Sequence, residues 1–384
     1  MYKLNIQNKQ RFLNEYWQKR PVVIRNAFPD FIDPLDENDL AGLAQEAEVD
    51  SRIISNFNGK WSNTQGPFDD FSKLCVGQWT LLVQSVDTYL EEAKQLLESF
   101  DFIPNWRVDD LMVSYSDLNG GVGPHVDQYD VFIIQGRGTR RWQVGENKHH
   151  DTIQPAKNLR QISGFDPILD EILEPGDLIY IPPGFPHNGV ALKPCMNYSV
   201  GFRAPTQREM LDGFVDFAQA RNLFNQRYSD PELDLRDSRF EIKQSEIEKM
   251  KSMFSQMINS VHFDDFIAFY FTESKNFDIY NTDLAEDYSL KQITELLDEG
   301  VDFQRSLDVR IIQQKIRLKD KFQLVTWINQ HRIEVEPQDQ NLLLDMLNSA
   351  ILNNQTKINY QNGLIFNQIL TRLVNTGGWY PDID

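Results

Sequence analysis

Along roughly the first half of the chain, apolar residues recur in short runs rich in β-branched and aromatic side chains: PVVIRNAF, LMVSYSD, DVFIIQG, RRWQVG, DLIYIPP and MNYSVGFR. Runs of this length and makeup predict strands, whose successive side chains point to opposite faces. NGGVGP, GRG, EPGD and PPGFP separate them, and such Gly and Pro clusters punctuate strands. Many short strands between turns predict a mainly β fold, a small barrel or two-sheet jelly roll. VFIIQ-GRG-TRRWQV reads as a hairpin within it. One helical insertion is expected over residues 81–100, where VDTYLEEAKQLLESF carries apolar residues at helical intervals.

Near Pro205 the period lengthens. In TQREMLDGFVDFAQARNLF, Met210, Phe214, Phe217 and Leu223 keep helical spacing, and Thr206 with Glu209 forms a capping-box pattern. EIEKMKSMFSQMI and FDDFIAFYF continue the helical texture. This block is too small for a large core of its own, so its Phe and Met residues should pack on the barrel or on a second subunit. From Ser289 onward, SLKQITELLDEG reads as a helix with a Gly stop, VRIIQQKIRL and HRIEVEP as strands, and NLLLDMLNSAIL and LIFNQILTRLVNTGGW as helices. Helices with a short ribbon of strands suggest a winged-helix-like α+β module. It is not conspicuously basic, which favours contact with protein over DNA. The expected organisation is a catalytic domain over 1–205, a helical region over 206–280 and the α+β module over 281–384.

Composition narrows the setting. A chain of 384 residues has room for two or three domains, one with a substantial core. No apolar run approaches a membrane span, and MYKLNIQNKQRFLNEYW lacks the apolar stretch of a signal peptide. The two cysteines, Cys75 and Cys195, lie far apart in no metal-binding pattern, as expected for a reducing cytoplasm. Thirty-eight basic against 57 acidic residues give a net charge of −19. That balance argues against direct nucleic-acid binding and suits a basic protein partner, although solubility alone would also explain it.

The chemistry-bearing stretch is VGPHVDQYDVFIIQGRGTRRWQVG. His125 and Asp127, two apart on a predicted strand, share a face at a spacing of roughly 7 Å along the chain. His187, in the proline-rich IPPGFPHNGV directly after a predicted strand, can add a third donor. Two histidines and a carboxylate make the facial triad of non-haem Fe(II) oxygenases, which leaves coordination positions open. The competing reading makes His125 a turn cap and Asp127 a solvated side chain. Strand alternation then puts Arg140, Trp142 and Val144 on one face, with Thr139, Arg141 and Gln143 on the other. A buried Arg140 needs an anion: either the far carboxylate of a dicarboxylate co-substrate or a protein carboxylate in an internal salt bridge. His149 and His150 read as surface residues, His262 as a cap or packing residue, and His331 as the start of a strand. No phosphate-cradling loop, dinucleotide fingerprint or nucleophile elbow is present.

GVGPHVDQYDVFIIQGRGTRRWQVG, EPGDLIYIPPGFPHNGVA and MNYSVGFRAP closely resemble the JmjC-type ribosomal oxygenases of bacteria. The resemblance implies a double-stranded β-helix (cupin/JmjC jelly roll) core, a helical dimerisation region giving a homodimer, and a winged-helix-like terminal domain. It implies Fe(II) on His125, Asp127 and His187, with 2-oxoglutarate held by Arg140 and by further polar contacts from Ser114 and Asn197. The implied reaction uses O2 and decarboxylates 2-oxoglutarate while hydroxylating the β-carbon of an arginine in a basic large-subunit ribosomal protein. Asp117 and Asp130 are candidates to receive that arginine, solvated loop carboxylates being the other reading. Three rivals remain. One is an oxygenase of the same class acting on another residue, as a histidine hydroxylase or lysyl demethylase. Another is a non-enzymatic cupin-like binding protein, against which an intact triad with Arg140 counts. The last is a metal isomerase, for which no extra His or Glu near His125 is available.

Overall fold

The structure, a computed structural model, describes residues 2–274, 287–318, 321–360 and 362–383. It forms two compact units, Met1–Ala204 and Pro205–Asp384.

The first unit carries strands β1 (Val22–Ile24), β2 (Ser51–Phe57), β3 (Lys60–Gln65), β4 (Gln78–Val83), β5 (Val108–Ser116), β6 (His125–Val126) and β7 (Asp130–Gln135). There follow β8 (Arg140–Gly145), β9 (Thr152–Ala156), β10 (Leu159–Ile162), β11 (Pro167–Leu173), β12 (Leu178–Ile181), β13 (Pro186–Ala191) and β14 (Cys195–Phe202). One sheet runs β1-β12-β7-β14-β5-β4-β2-β3 and a second runs β11-β8-β13-β6, with β9 and β10 forming a separate ribbon. From β11 to β14 the chain steps between the two sheets at every strand, so it winds as a double-stranded β-helix.

That winding corrects one expectation. VFIIQ-GRG-TRRWQV is no hairpin, because β7 lies in the large sheet and β8 in the small one. The GRG loop is a tight corner between sheets. Gly138 has φ +87°, and a Cβ there would sit 2.2 Å from the Pro194 carbonyl oxygen. The strongest hairpin signal in the chain lies elsewhere. Asn58-Gly59, both at positive φ, joins β2 to β3 as a two-residue turn.

Alternation along the strands sorts side chains between two cores. On β7, Phe132 and Ile134 face outward, while Val131 and Ile133 join Trp142, Val144, Ile179 and Ile181 between the sheets. The outward face is covered by α1 (Lys9–Glu15), α2 (Glu37–Leu43) and α3 (Glu91–Glu98). Phe12, Leu40, Leu96 and Phe100 pack there with Phe132, Tyr180, Tyr198 and Phe202. Ring centroids as close as 4.8 Å (Phe132 to Tyr180) make this a dense aromatic layer that stiffens the large sheet from behind. The helix expected over 81–100 is confined to α3. Leu81–Val83 complete β4 instead, Leu81 and Val83 joining the outer core and Leu82 a separate small cluster with Ile54 and Leu159.

The second unit opens with α4 (Gln207–Ala220), α5 (Gln244–Ile258) and α6 (Val261–Phe271). The capping box is present: Thr206 N–H donates to Glu209 Oε2 at 2.6 Å and Glu209 N–H to Thr206 Oγ1 at 3.1 Å. Beyond them, α7 (Leu290–Asp298), α8 (Gln340–Leu347), α9 (Asn354–Ile358) and α10 (Gly363–Asn375) accompany two three-stranded antiparallel sheets. The middle strand of one, Lys321–Ile328, was absent from the expectation. NLLLDMLNSAIL is helical only to Leu347; Ile351–Leu352 pairs with Phe303–Gln304 instead. The expected boundary between 280 and 281 lies outside the described residues. Among the described residues no helix is long and apolar enough to cross a membrane.

Candidate active site

Pairing of β13 with β6 sets His187 directly opposite His125, and the two ring centroids lie 4.2 Å apart. Asp127 follows β6 immediately, rather than lying on it as expected. Its Oδ2 is 3.8 Å from His125 Nε2 and 3.5 Å from His187 Nε2. His187 lies on β13, just past the Pro182-Pro183-Gly184 turn. Gly184 takes φ +81°, and its N–H donates to the Asp127 carbonyl at 2.8 Å, which ties the two ligand segments together.

The Nδ1 atom of each histidine bonds a nearby carbonyl: His125 to Gly123 O at 2.9 Å, His187 to Phe185 O at 3.0 Å. That fixes the tautomer and leaves Nε2 of both rings as the free donor atom. The donor atoms of all three residues lie within 4.8 Å of one another, a group that could hold a metal ion. Burial, reinforced by the neighbouring His125, pushes His187 down to about 4 against the opposing pull of Asp127. The imidazole is therefore neutral near pH 7, the form that a metal requires.

Arg140 projects into the same interior and is 3% exposed. Its Nη1 donates to Ser116 Oγ and to Asn197 Oδ1, both at 3.0 Å, and its Nη2 to Gly189 O at 3.1 Å. Every acceptor is neutral. Nε is buried without a partner, and among the described residues no carboxylate forms an ion pair with this side chain. The internal salt bridge held open from the sequence is thus absent. Burial lowers the guanidinium pKa from its ordinary value, as expected for a cation lacking a counter-ion. Trp142, on the same strand face, lies with its ring centre 5.0 Å from the guanidinium carbon and 6.1 Å from the His187 ring. Gly189 is opposite Trp142, and a Cβ there would come within 2.6 Å of Arg140 Nε.

Sequence reasoning missed several of these contacts. Asn197, expected as a co-substrate contact, accepts from Arg140, and so does Ser116, which the sequence did not single out. Ser114 is buried as the cross-strand partner of Asn197. The two serines are two apart on β5 and share a face, a signal open to reading. The Gly189 carbonyl carried none, because a backbone acceptor has no residue signature.

Asp130 does not face a substrate. It is fully buried and accepts from Tyr180 OH at 2.6 Å, Gln18 Nε2 at 2.9 Å and Arg107 Nη2 at 3.1 Å. Asp117 caps its own turn through the Leu118 N–H at 2.7 Å. A different acidic residue, Asp110, shares the β5 face of Ser114 and Ser116 and accepts from Ser85 Oγ at 3.1 Å. It approaches Tyr129 across Gly201, where a Cβ would lie 3.4 Å from Asp110 Oδ1 and 3.9 Å from Tyr129 Cε2. Burial, then Asp127 and Asp110, hold the Tyr129 hydroxyl above its ordinary pKa. Among the described residues the remaining histidines join no group of possible metal ligands. His149 is exposed beside Asp151, His150 bonds Glu146 O, His262 packs near Phe224 and His331 bonds Asn329 O.

Known proteins resemble this chain in sequence and fold. A model of the JmjC domain matches residues 95–210. The ribosomal protein uL16 3-hydroxylase of Escherichia coli K12 is 41% identical over 99% of this chain and 99% of its own. A probable ribosomal oxygenase of Haemophilus influenzae is 41% identical over 53% of this chain and 51% of its own. The X-ray structure of Escherichia coli YcfD superposes with a TM-score of 0.84 at 38% identity, covering 99% of this chain and 100% of that chain. YcfD in complex with cobalt and 2-oxoglutarate gives a TM-score of 0.82 at 38% identity, with both chains covered in full (100%).

Proposed function

Because the chain belongs to the JmjC-type ribosomal oxygenase family, we propose that it binds Fe(II) on His125, Asp127 and His187, holds 2-oxoglutarate against Arg140, and hydroxylates an arginine of ribosomal protein uL16. The observation that carries this reading is the buried, uncompensated Arg140 guanidinium in the same interior as the three-donor group. A dicarboxylate bound to the metal at one end supplies the missing negative charge at the other.

The donor set fits iron: two neutral imidazoles and a carboxylate leave positions for co-substrate and oxygen. Bound there, the metal centre supplies the oxidising chemistry, in which 2-oxoglutarate loses CO2 to give succinate, one oxygen atom of O2 entering succinate and the other a substrate C–H bond. The protein's own residues do the positioning. Arg140 fixes the far carboxylate, Asn197 and Ser116 orient Arg140, and Ser114 adds polar surface on the same face. Asp110 and Tyr129 present a carboxylate and an aromatic ring, which suit a cationic guanidinium and support arginine over histidine as the target. The reacting β-carbon matches the 3-hydroxylase named for the Escherichia coli relative. The net charge of −19 favours a basic ribosomal protein over direct nucleic-acid contact, and the free Cys75 and Cys195 suit a reducing cytoplasm as the place of encounter.

The helical region over 206–280 serves, on this reading, to pair two copies of the chain. Met250, Phe254 and Ile258 form an exposed apolar stripe along α5 at helical spacing, a face that a second copy would cover. The module over 281–384 is then a protein-contact domain. Phe254→Glu should give monomers by light scattering, and an unchanged dimer would remove that role from α5.

The decisive assay incubates the protein with Fe(II), 2-oxoglutarate, O2 and uL16 and follows the intact mass of uL16. One added oxygen, mapped to an arginine and absent without 2-oxoglutarate, is the expected result. Oxygen on another residue, or succinate formed with uL16 unchanged, would discard the arginine substrate. The absence of both added oxygen and succinate would refute the oxygenase itself.

A further inference from the structure

Behind Arg140 lies Gln135, the last residue of β7, which takes no part in the chemistry proposed above. It is fully buried, at 0% exposure. Its placement is fixed by register: β14 sets Asn197 between Ser114 on β5 and Gln135 on β7. We infer that Gln135 is a positioning residue for the co-substrate, because it sets the direction of the Asn197 amide and thereby the place of the Arg140 guanidinium.

The argument follows donors and acceptors. Gln135 Nε2 donates to two main-chain carbonyls, Met196 O at 3.1 Å and Gly136 O at 3.3 Å. Turning that amide over would press its oxygen against both carbonyl oxygens, so the nitrogen end is locked where it is. Only Oε1 is then left to face Asn197, and it accepts from Asn197 Nδ2 at 2.9 Å. Asn197 must in turn present Oδ1 to the other side, where it accepts from Arg140 Nη1 at 3.0 Å. The Cys195 thiol reaches the same oxygen at 3.7 Å. With Asn197 reversed, its NH2 group would meet the guanidinium, donor against donor, beside a cation already short of negative charge. Two backbone carbonyls thus dictate, through two side-chain amides, that an acceptor rather than a donor meets Arg140. All the groups in this relay are neutral, so it steers the guanidinium without cancelling its charge. A carboxylate at position 135 would do the opposite.

This inference rests on Arg140 holding the far carboxylate, and the test separates the two ideas. Mn(II)-loaded full-length protein would be titrated calorimetrically with 2-oxoglutarate and with 2-oxobutyrate, which keeps the keto-acid end and lacks the far carboxylate. Wild type should prefer 2-oxoglutarate strongly, and Arg140→Met should erase that preference. If wild type shows no preference, the reading of Arg140 itself fails. Gln135→Met keeps length and bulk but removes all three directional bonds, the two to main-chain carbonyls and the one from Asn197. It should weaken 2-oxoglutarate binding about tenfold, the loss of roughly one charge-assisted hydrogen bond's worth of alignment, and leave 2-oxobutyrate and Mn(II) affinity unchanged. Gln135→Glu, which keeps an acceptor for Asn197 but adds a negative charge, should weaken 2-oxoglutarate further and again spare 2-oxobutyrate. A Gln135 with a purely structural role would lower the melting temperature of both variants and leave the preference at the wild-type ratio. That outcome, with Arg140→Met still erasing the preference, would overturn the inference.

Discussion

Arg107 and Arg140 both withdraw from water inside the N-terminal unit, and their surroundings differ in one respect. Arg107 meets a carboxylate, Asp130, at 3.1 Å and lies beside the rings of Trp17 and Trp106. Asp130 is in turn closed off by Tyr180 and Gln18, so this cluster is complete without any ligand. Arg140 is equally well supplied with hydrogen-bond acceptors, but all of them are neutral and Nε has none. Burial alone therefore says little about what an arginine is for. The charge balance around it distinguishes a strut from a ligand site, since a buried cation persists only where an anion completes it. From the sequence Asp130 was a candidate for the substrate side or a solvated loop carboxylate, and this distinction removes both readings.

The comparison can be broken at either arginine. Asp130→Asn strands the Arg107 charge in a buried cluster and should cost about 3–5 kcal/mol in chemical denaturation, with 2-oxoglutarate affinity unchanged. A stable Asp130→Asn protein would show that the cluster is no strut. Arg140→Met should behave in the reverse way. Its 2-oxoglutarate affinity should fall about a hundredfold, roughly 2–3 kcal/mol of charge-assisted bonding, while the unfolding free energy holds steady or rises. Marked destabilisation by Arg140→Met would place it with Arg107. A smaller effect should come from Gly189→Ala, whose Cβ would lie 2.6 Å from Arg140 Nε and push the guanidinium aside. About a tenfold loss of 2-oxoglutarate affinity is expected there, with Mn(II) binding intact. The smallest effect belongs to Arg141, next in sequence and on the opposite strand face. It pairs with Asp170 at the surface, both side chains being at least one-third exposed. Arg141→Ala should change stability by less than about 1 kcal/mol and co-substrate affinity not at all.

Much of this contrast was legible in the chain. Strand alternation separated Arg140 from Arg141, and the structure puts one inside and the other outside. His125, Asp127 and His187 were recognisable as donors, and they converge although Asp127 lies just past its strand. What stayed hidden depends on which strands pair. The GRG corner looked like a hairpin because local residues signal a turn but not the sheet to which the next strand goes. Asn58-Gly59 offered a clear turn signal that went unread, and with it β2 and β3. The Asp130 cluster and the Gly189 carbonyl join residues up to 112 positions apart, beyond the reach of any local pattern. The relay through Gln135 likewise exists only once β7 and β14 are in register.

The most direct test is a crystal structure of the protein with Mn(II) and 2-oxoglutarate prepared without oxygen. The anomalous signal of the metal should lie among His125, Asp127 and His187, with the far carboxylate of 2-oxoglutarate against the Arg140 guanidinium, completing Nε. A co-substrate bound to the metal with that carboxylate elsewhere, and Arg140 still without an anion, would contradict the account.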